Sequence, residues 1–156
     1  MHWYVVASQK EARIFVKLSG TTQLKLLQSL TNPLGALKRS ALIKKQAGRG
    51  VKSVGQAGSI NYSMPKRHDP HEDAISQFSR DLAHFFEAEK LKRSFDSMTV
   101  VAAPHFLGKI KSEMSPDLQH CVTHWIKKDL QKSPPHELIH FLSPTVRPVI
   151  GRLAPR

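Results

Sequence analysis

The chain carries a single cysteine, Cys121, so no intramolecular disulfide framework can form, and a reducing compartment suits it. Nowhere does it approach the roughly 18 continuous apolar residues that a spanning helix needs. The stretch Trp3-Tyr4-Val5-Val6-Ala7 is too short for a signal peptide and has no basic lead, which sets the expectation of a soluble, cytoplasmic protein. Glycine and proline number only 8 and 10 in 156 residues, too few for a collagen-like or low-complexity chain, and 40% apolar residues are enough for a core. The most informative shortage is of negative charge. Between Ala12 and His68 there is no Asp or Glu at all.

That acid-free stretch contains Arg13, Lys17, Lys25, Lys38, Arg39, Lys44, Lys45, Arg49, Lys52, Lys66 and Arg67. Of a formal net charge of +12, these residues hold +11, leaving +1 for everything else. Such self-repulsion costs folding stability unless the region meets a polyanion, where each Lys or Arg contact with phosphate also releases a condensed counterion.

At roughly 100 to 200 residues per domain, 156 residues make one domain. Trp3–Ala7 and Ala12–Leu18 read as a hairpin joined at Ser8 to Lys10, and Gln23–Leu30 as a third strand stopped by Asn32-Pro33. From Pro33 to Arg67 the apolar pattern fades. Gly48, Gly50, Gly55 and Gly58 interrupt any helix, although Leu34 to Ile43 has room for a turn or two, so this part reads as a long, mobile basic loop. Asp69-Pro70-His71-Glu72 then starts a helix, with Asp69 as N-cap and Glu72 placed for a capping box. Ile75, Phe78, Leu82, Phe85 and Phe86 line one face of it.

Met98–Ala103 suits a buried central strand. Pro104 opens a helix with Leu107, Ile110 and Met114 inward. Gln119–Ile126 reads as a strand with His120, Val122 and His124 on one face, and Ser133-Pro134 begins a last helix with Leu138, Ile139, Phe141 and Leu142 inward. The expected fold is α/β: a mixed five-stranded sheet, three strands in an antiparallel meander and then β-α-β crossovers, in the ribonuclease H-like arrangement with helices packed on the sheet. Residues 1–142 form the domain, with the basic loop at about 33–69, and residues 143–156 a loosely ordered basic tail.

That arrangement raises the question of a nuclease. Two-metal hydrolysis needs several carboxylates around the ions, and Glu11 is the sole acid in the first 68 residues, so the requirement is not met. His120-Cys121-x-x-His124 and His68-x-x-His71 invite a metal, but on a strand Cys121 would point away from both histidines, and one cysteine makes no structural zinc site. No metal or other cofactor is expected. Neither a nucleophile elbow nor a P-loop is present. Gly48-Arg49-Gly50 and Val54-Gly55-Gln56-Ala57-Gly58 set backbone amides beside cations, as phosphate approach requires. Tyr62 is the aromatic placed to stack on a base, whereas Trp3 and Tyr4 read as core residues.

Val101-Ala102-Ala103-Pro104-His105-Phe106-Leu107-Gly108-Lys109-Ile110-Lys111 and Lys128-Asp129-Leu130 resemble the bacterial host-attachment protein family. Ala12-Arg13-Ile14-Phe15, Asn32-Pro33, Gly48-Arg49 and Phe78-Ser79-Arg80-Asp81-Leu82 follow in that family's order, so the resemblance covers about residues 3 to 142. In Ala-Pro-x-x-Leu-Gly, the proline would start a helix and Gly108 would let it pack tightly. The family is in turn similar to the central domain of archaeal and eukaryotic peptide-release factors, whose Gly-Gly-Gln loop positions a water. This resemblance implies a ribosomal role and makes Gln56 the candidate catalytic residue. Here Val54 replaces the first glycine, and a β-branched residue is disfavoured at positive φ, so binding is favoured over hydrolysis.

The expected function is therefore binding of the ribosome or structured RNA. Lys38, Arg39, Lys44, Lys45, Arg49, Lys52, Lys66 and Arg67 would sit on phosphates, with Gly55 near the loop tip. Two alternatives stand beside it: a ribosome-rescue peptidyl-tRNA hydrolase using Gln56, and an adhesion or envelope-associated protein whose basic face meets acidic polysaccharide or lipid headgroups.

Overall fold

A computed structural model describes residues 1–37 and 69–146, with side chains to 142. The candidate residues Lys38, Arg39, Lys44, Lys45, Arg49, Lys52, Gly55, Gln56, Lys66 and Arg67, together with Tyr62 and His68, lie outside the described residues.

A continuous apolar run makes β1 (His2–Ala7), buried on both faces, and a partly alternating one makes β2 (Glu11–Lys17); they pair antiparallel with Trp3 opposite Val16 and Ala7 opposite Ala12. β3 (Leu24–Thr31) adds antiparallel to β2 and forms one edge of the sheet. A four-residue helix, α1 (Pro33–Ala36), follows it directly. α2 (Pro70–Leu91) then leads into β4 (Ser97–Ala102), parallel to β1, and α3 (Pro104–Glu113) and α4 (Pro116–Cys121) lead into β5 (Val122–Lys127), parallel to β4. α5 (Pro135–Val146) closes the described chain and runs four residues past Leu142. The strand order is β3-β2-β1-β4-β5, the mixed five-stranded sheet expected of a meander followed by crossovers.

Both faces of the central strands β1, β2 and β4 are covered, while edge strand β3 stays largely exposed. Trp3, Val5, Ala12, Ile14, Met98 and Val100 face α2, α3 and α4, whose Ile75, Leu82, Phe86, Phe106 and Ile110 complete the larger core. Tyr4, Val6, Phe15 and Val101 face α5 and meet Leu138 and Leu142. Burial of these side chains is the main force holding helices to sheet, at about 1.5–3 kcal/mol for each large one. Trp3 and Tyr4 are core residues, as expected.

Helix starts obey local rules. Asp69 accepts a hydrogen bond from the His71 amide and Ser115 one from the Leu118 amide, each just ahead of a first-turn proline.

Four expectations need correction. Gln119–Cys121 is helical and not strand, because the Ser115 cap and Pro116 nucleate a turn that runs to Cys121; His120 therefore leaves the strand that carries His124. Phe141 is 42% exposed and lies under the Lys128 ammonium, 4.7 Å from its ring centre, on the flank of α5 turned away from the sheet. Gly108 has nothing within 4 Å of the place a Cβ would occupy, so no close packing requires it. The last helix starts at Pro135, with the Pro134 carbonyl accepting from the Glu137 and Leu138 amides.

Candidate functional site

β1 and β4 are parallel neighbours, yet the chain continues from β1 toward β2 and from β4 toward β5, on opposite sides. Such a reversal opens a crevice at the strands' carboxyl ends, the usual ligand position in an open α/β sheet. Here a crevice of about 170 Å³ lies between Ser8, Lys10, Ala103, Phe106, Asp129 and Gln131. A wider cleft of about 380 Å³ adjoins it, lined by Lys10, Glu11, Thr31, Pro33 and Ala36 and by Gln131 and Lys132. α1, after which the basic segment begins, forms a wall of this cleft.

Each wall is fixed by a polar side chain. Ser8 shapes the β1–β2 turn, its hydroxyl donating to the Glu11 carbonyl and accepting from the Lys10 and Glu11 amides. Buried Asn32 donates from its amide to the Gln9 carbonyl at 2.9 Å and to the Ala74 carbonyl of α2 at 3.4 Å, tying α1, the turn and α2 together. Gly35 packs so closely on this junction that a Cβ there would lie 2.2 Å from the Gln9 oxygen and 2.4 Å from the Asn32 amide nitrogen. A side chain at that position therefore displaces backbone, and glycine is required.

The opposite wall, residues 130–133, is held by Arg13. Its guanidinium donates to the carbonyls of Leu130, Gln131 and Ser133 at 2.9–3.0 Å, and its Nε lies 3.7 Å from the Glu11 carboxylate. Arg13 is one of the eleven cations of the acid-free stretch, so the expectation that the excess charge serves a partner fails at this position. The reason is geometric: Arg13 sits opposite Val6 in the sheet, beside three carbonyls that no strand pairs.

Lys10 and Lys132 are exposed and meet no acid among the described residues. Glu11, the cleft's own carboxylate, is beside Arg13. In the first turn of α2, Glu72 reaches Lys109 of α3 at 3.2 Å and His105 at 3.6 Å. Partial burial works against the Glu72 charge, but the hydrogen bond and charge of Lys109, with His105, outweigh it and hold the carboxyl below its ordinary range.

Among the described residues no three His, Cys, Asp or Glu come together as a metal site. His120 and Cys121 end α4 while His124 lies on β5, facing the Thr123 hydroxyl. No helix among the described residues is long and apolar enough to cross a membrane.

The arrangement offers two unpaired ammonium groups around a firm, partly apolar cleft. Lys10, Asn32, Gln131 and Lys132 were not among the residues expected at a site. Lys10 and Lys132 lie outside the acid-free stretch and carry no motif; Asn32 gave a signal as the end of a strand and in the family resemblance, neither of which marks it as part of a cleft.

The family described as "Protein required for attachment to host cells" matches residues 3–142 of the sequence. The chain belongs to this family. The matched span contains the cleft, the Asn32 and Arg13 clamps and the whole basic segment, so within the host-attachment family the site lies inside the shared domain. No curated protein matches the chain.

Proposed function

We propose that this host-attachment-family protein binds structured RNA, ribosomal RNA foremost, through the Lys38–Arg67 segment and the cleft beside its root. The observation that carries the reading is the distribution of charge. Eleven cations follow one another without an acid, and the neighbouring cleft adds Lys10 and Lys132 without acidic partners. Phosphate is the partner that turns this repulsion into affinity, through counterion release. Gly48, Gly50, Gly55 and Gly58 among those cations support close approach of backbone amides to phosphate. The resemblance to release-factor central domains supports the ribosome over other RNAs.

The test is a low-salt pull-down from lysate with the tagged protein, with and without ribonuclease. Ribosomal RNA should be retained and should disappear after nuclease. Retention of acidic polysaccharide or lipid that nuclease does not alter would favour the adhesion reading and overturn this one.

A second reading rests on Gly55-Gln56, the part of the release-factor loop motif that this sequence keeps. It makes Gln56 the water-positioning residue of a peptidyl-tRNA hydrolase. Release from stalled ribosomes should then fall when Gln56→Ala is compared with wild type, and equal release would discard it.

A further inference from the structure

We propose that the 380 Å³ cleft between α1 and residues 131–132 is a pocket for one unstacked nucleobase of single-stranded RNA, with the adjoining phosphates on Lys10 and Lys132. This rests on the RNA reading and goes beyond it by naming what the described site holds.

Size and chemistry both lead there. The volume lies at the small end of the range for pockets that enclose organic ligands, enough for a heterocycle but not for a helix of nucleic acid. Pro33 and Ala36 give the lining apolar surface for a ring face, and Thr31 and Gln131 give it the donors and acceptors that a base edge needs. Lys10 and Lys132 both line the cleft and would take the phosphates adjoining an inserted nucleotide, while Glu11, which lines it too, lies beside Arg13. Duplex RNA keeps its bases stacked and offers none to such a cleft, so single strands, bulges and loops are the substrate class.

Rigidity separates this cleft from an ordinary surface dent. Arg13 fixes the 130–133 wall through three carbonyls, and Asn32 with Gly35 fixes the α1 wall. Preorganised walls lower the ordering cost of binding. Lys132 belongs to the wall that Arg13 pins, so one lysine stands on a clamped segment and the other on the Ser8-shaped turn.

The experiment compares two single-stranded oligoribonucleotides of equal length by fluorescence anisotropy at low salt, one intact and one abasic throughout. Charge is the same in both. Wild type should bind the intact strand on the order of tenfold more tightly, the scale set by one well-held base. Ala36→Leu, at an exposed position where the extra carbons enter the cleft, should lose that preference while keeping its affinity for the abasic strand and its thermal stability. Equal affinity of wild type for both strands would overturn the base pocket and leave RNA binding standing. So would a preference that survives Ala36→Leu. If neither strand binds while ribosomal RNA is still retained in the pull-down, the pocket falls and the structured-RNA reading stands; if ribosomal RNA is not retained either, both fall.

Discussion

The two ends of the central sheet treat their polar groups in opposite ways. At the amino ends of β1 and β4 the groups satisfy one another: the terminal ammonium of Met1 meets Asp96, and His2 bridges the hydroxyls of Ser97 at 2.6 Å and Thr99 at 2.9 Å. At the carboxyl ends, Arg13 and Asn32 are spent on holding the walls of a cleft, and Lys10 and Lys132 remain without acids. A closed network serves the fold. A firm cleft with charge that no described acid matches keeps repulsion that folding alone gives no reason to retain, and on the proposed function it is the end that would meet RNA.

Breaking the carboxyl end through its clamp should give the largest effect. Arg13→Ala removes three charge-assisted hydrogen bonds and leaves the Gln131 and Ser133 carbonyls without their donor, while the Leu130 carbonyl keeps only the Ser133 amide. Chemical denaturation should show a loss of about 2–4 kcal/mol. A loss under about 0.5 kcal/mol would show that the 130–133 segment is held by other contacts.

The amino end responds to pH, and more weakly. Burial, then the charge of His124 and the terminal ammonium, lower the His2 pKa below its ordinary value. A histidine depressed in the fold contributes stability that is present above its unfolded pKa of about 6.5 and is lost as pH falls through the folded value. Stability should therefore decline below about pH 6.5, before Glu72, Glu89 and Asp96, also depressed in the fold, begin to protonate below about pH 4.5. Denaturation midpoints of wild type and His2→Gln between pH 7 and 5 check this. The variant should give the flatter profile, and parallel profiles would contradict the assignment.

Much of the fold was legible before the structure because its signals are local. The β-prone apolar run Trp3–Ala7, the alternation in Ala12–Leu18, and a capping residue ahead of Pro70 and Pro116 act over a few residues and announce themselves there. The strand read at Gln119–Cys121 failed because a six-residue helix has too few turns to display a 3.6-residue period, and His120 and Val122 imitate alternation. Phe141 looked inward because apolar residues cluster around it, while Lys128, thirteen positions earlier, lets the ring lie at the surface.

The site was legible only in its charge. A run without acids shows excess but not which cation is consumed by structure, and Arg13 looks no different in sequence from Lys17 or Lys25. Lys10, Thr31, Ala36, Gln131 and Lys132 come from three separate parts of the chain, and only the topology brings them to one cleft. Asn32-Pro33 reads as a strand ending, yet the Asn32 side chain reaches forty-two positions ahead to Ala74.

The most direct test is the salt dependence of binding to single-stranded RNA, measured for wild type and for the double variant Lys10→Ala, Lys132→Ala. Each phosphate contact contributes about 0.7 to the slope of log affinity against log salt on single strands. Wild type should give a slope steeper than about −3, and the double variant should lose roughly 1 to 1.5 of it while unfolding within about 0.5 kcal/mol of wild type. A wild-type affinity that stays flat from low to moderate salt would contradict the account.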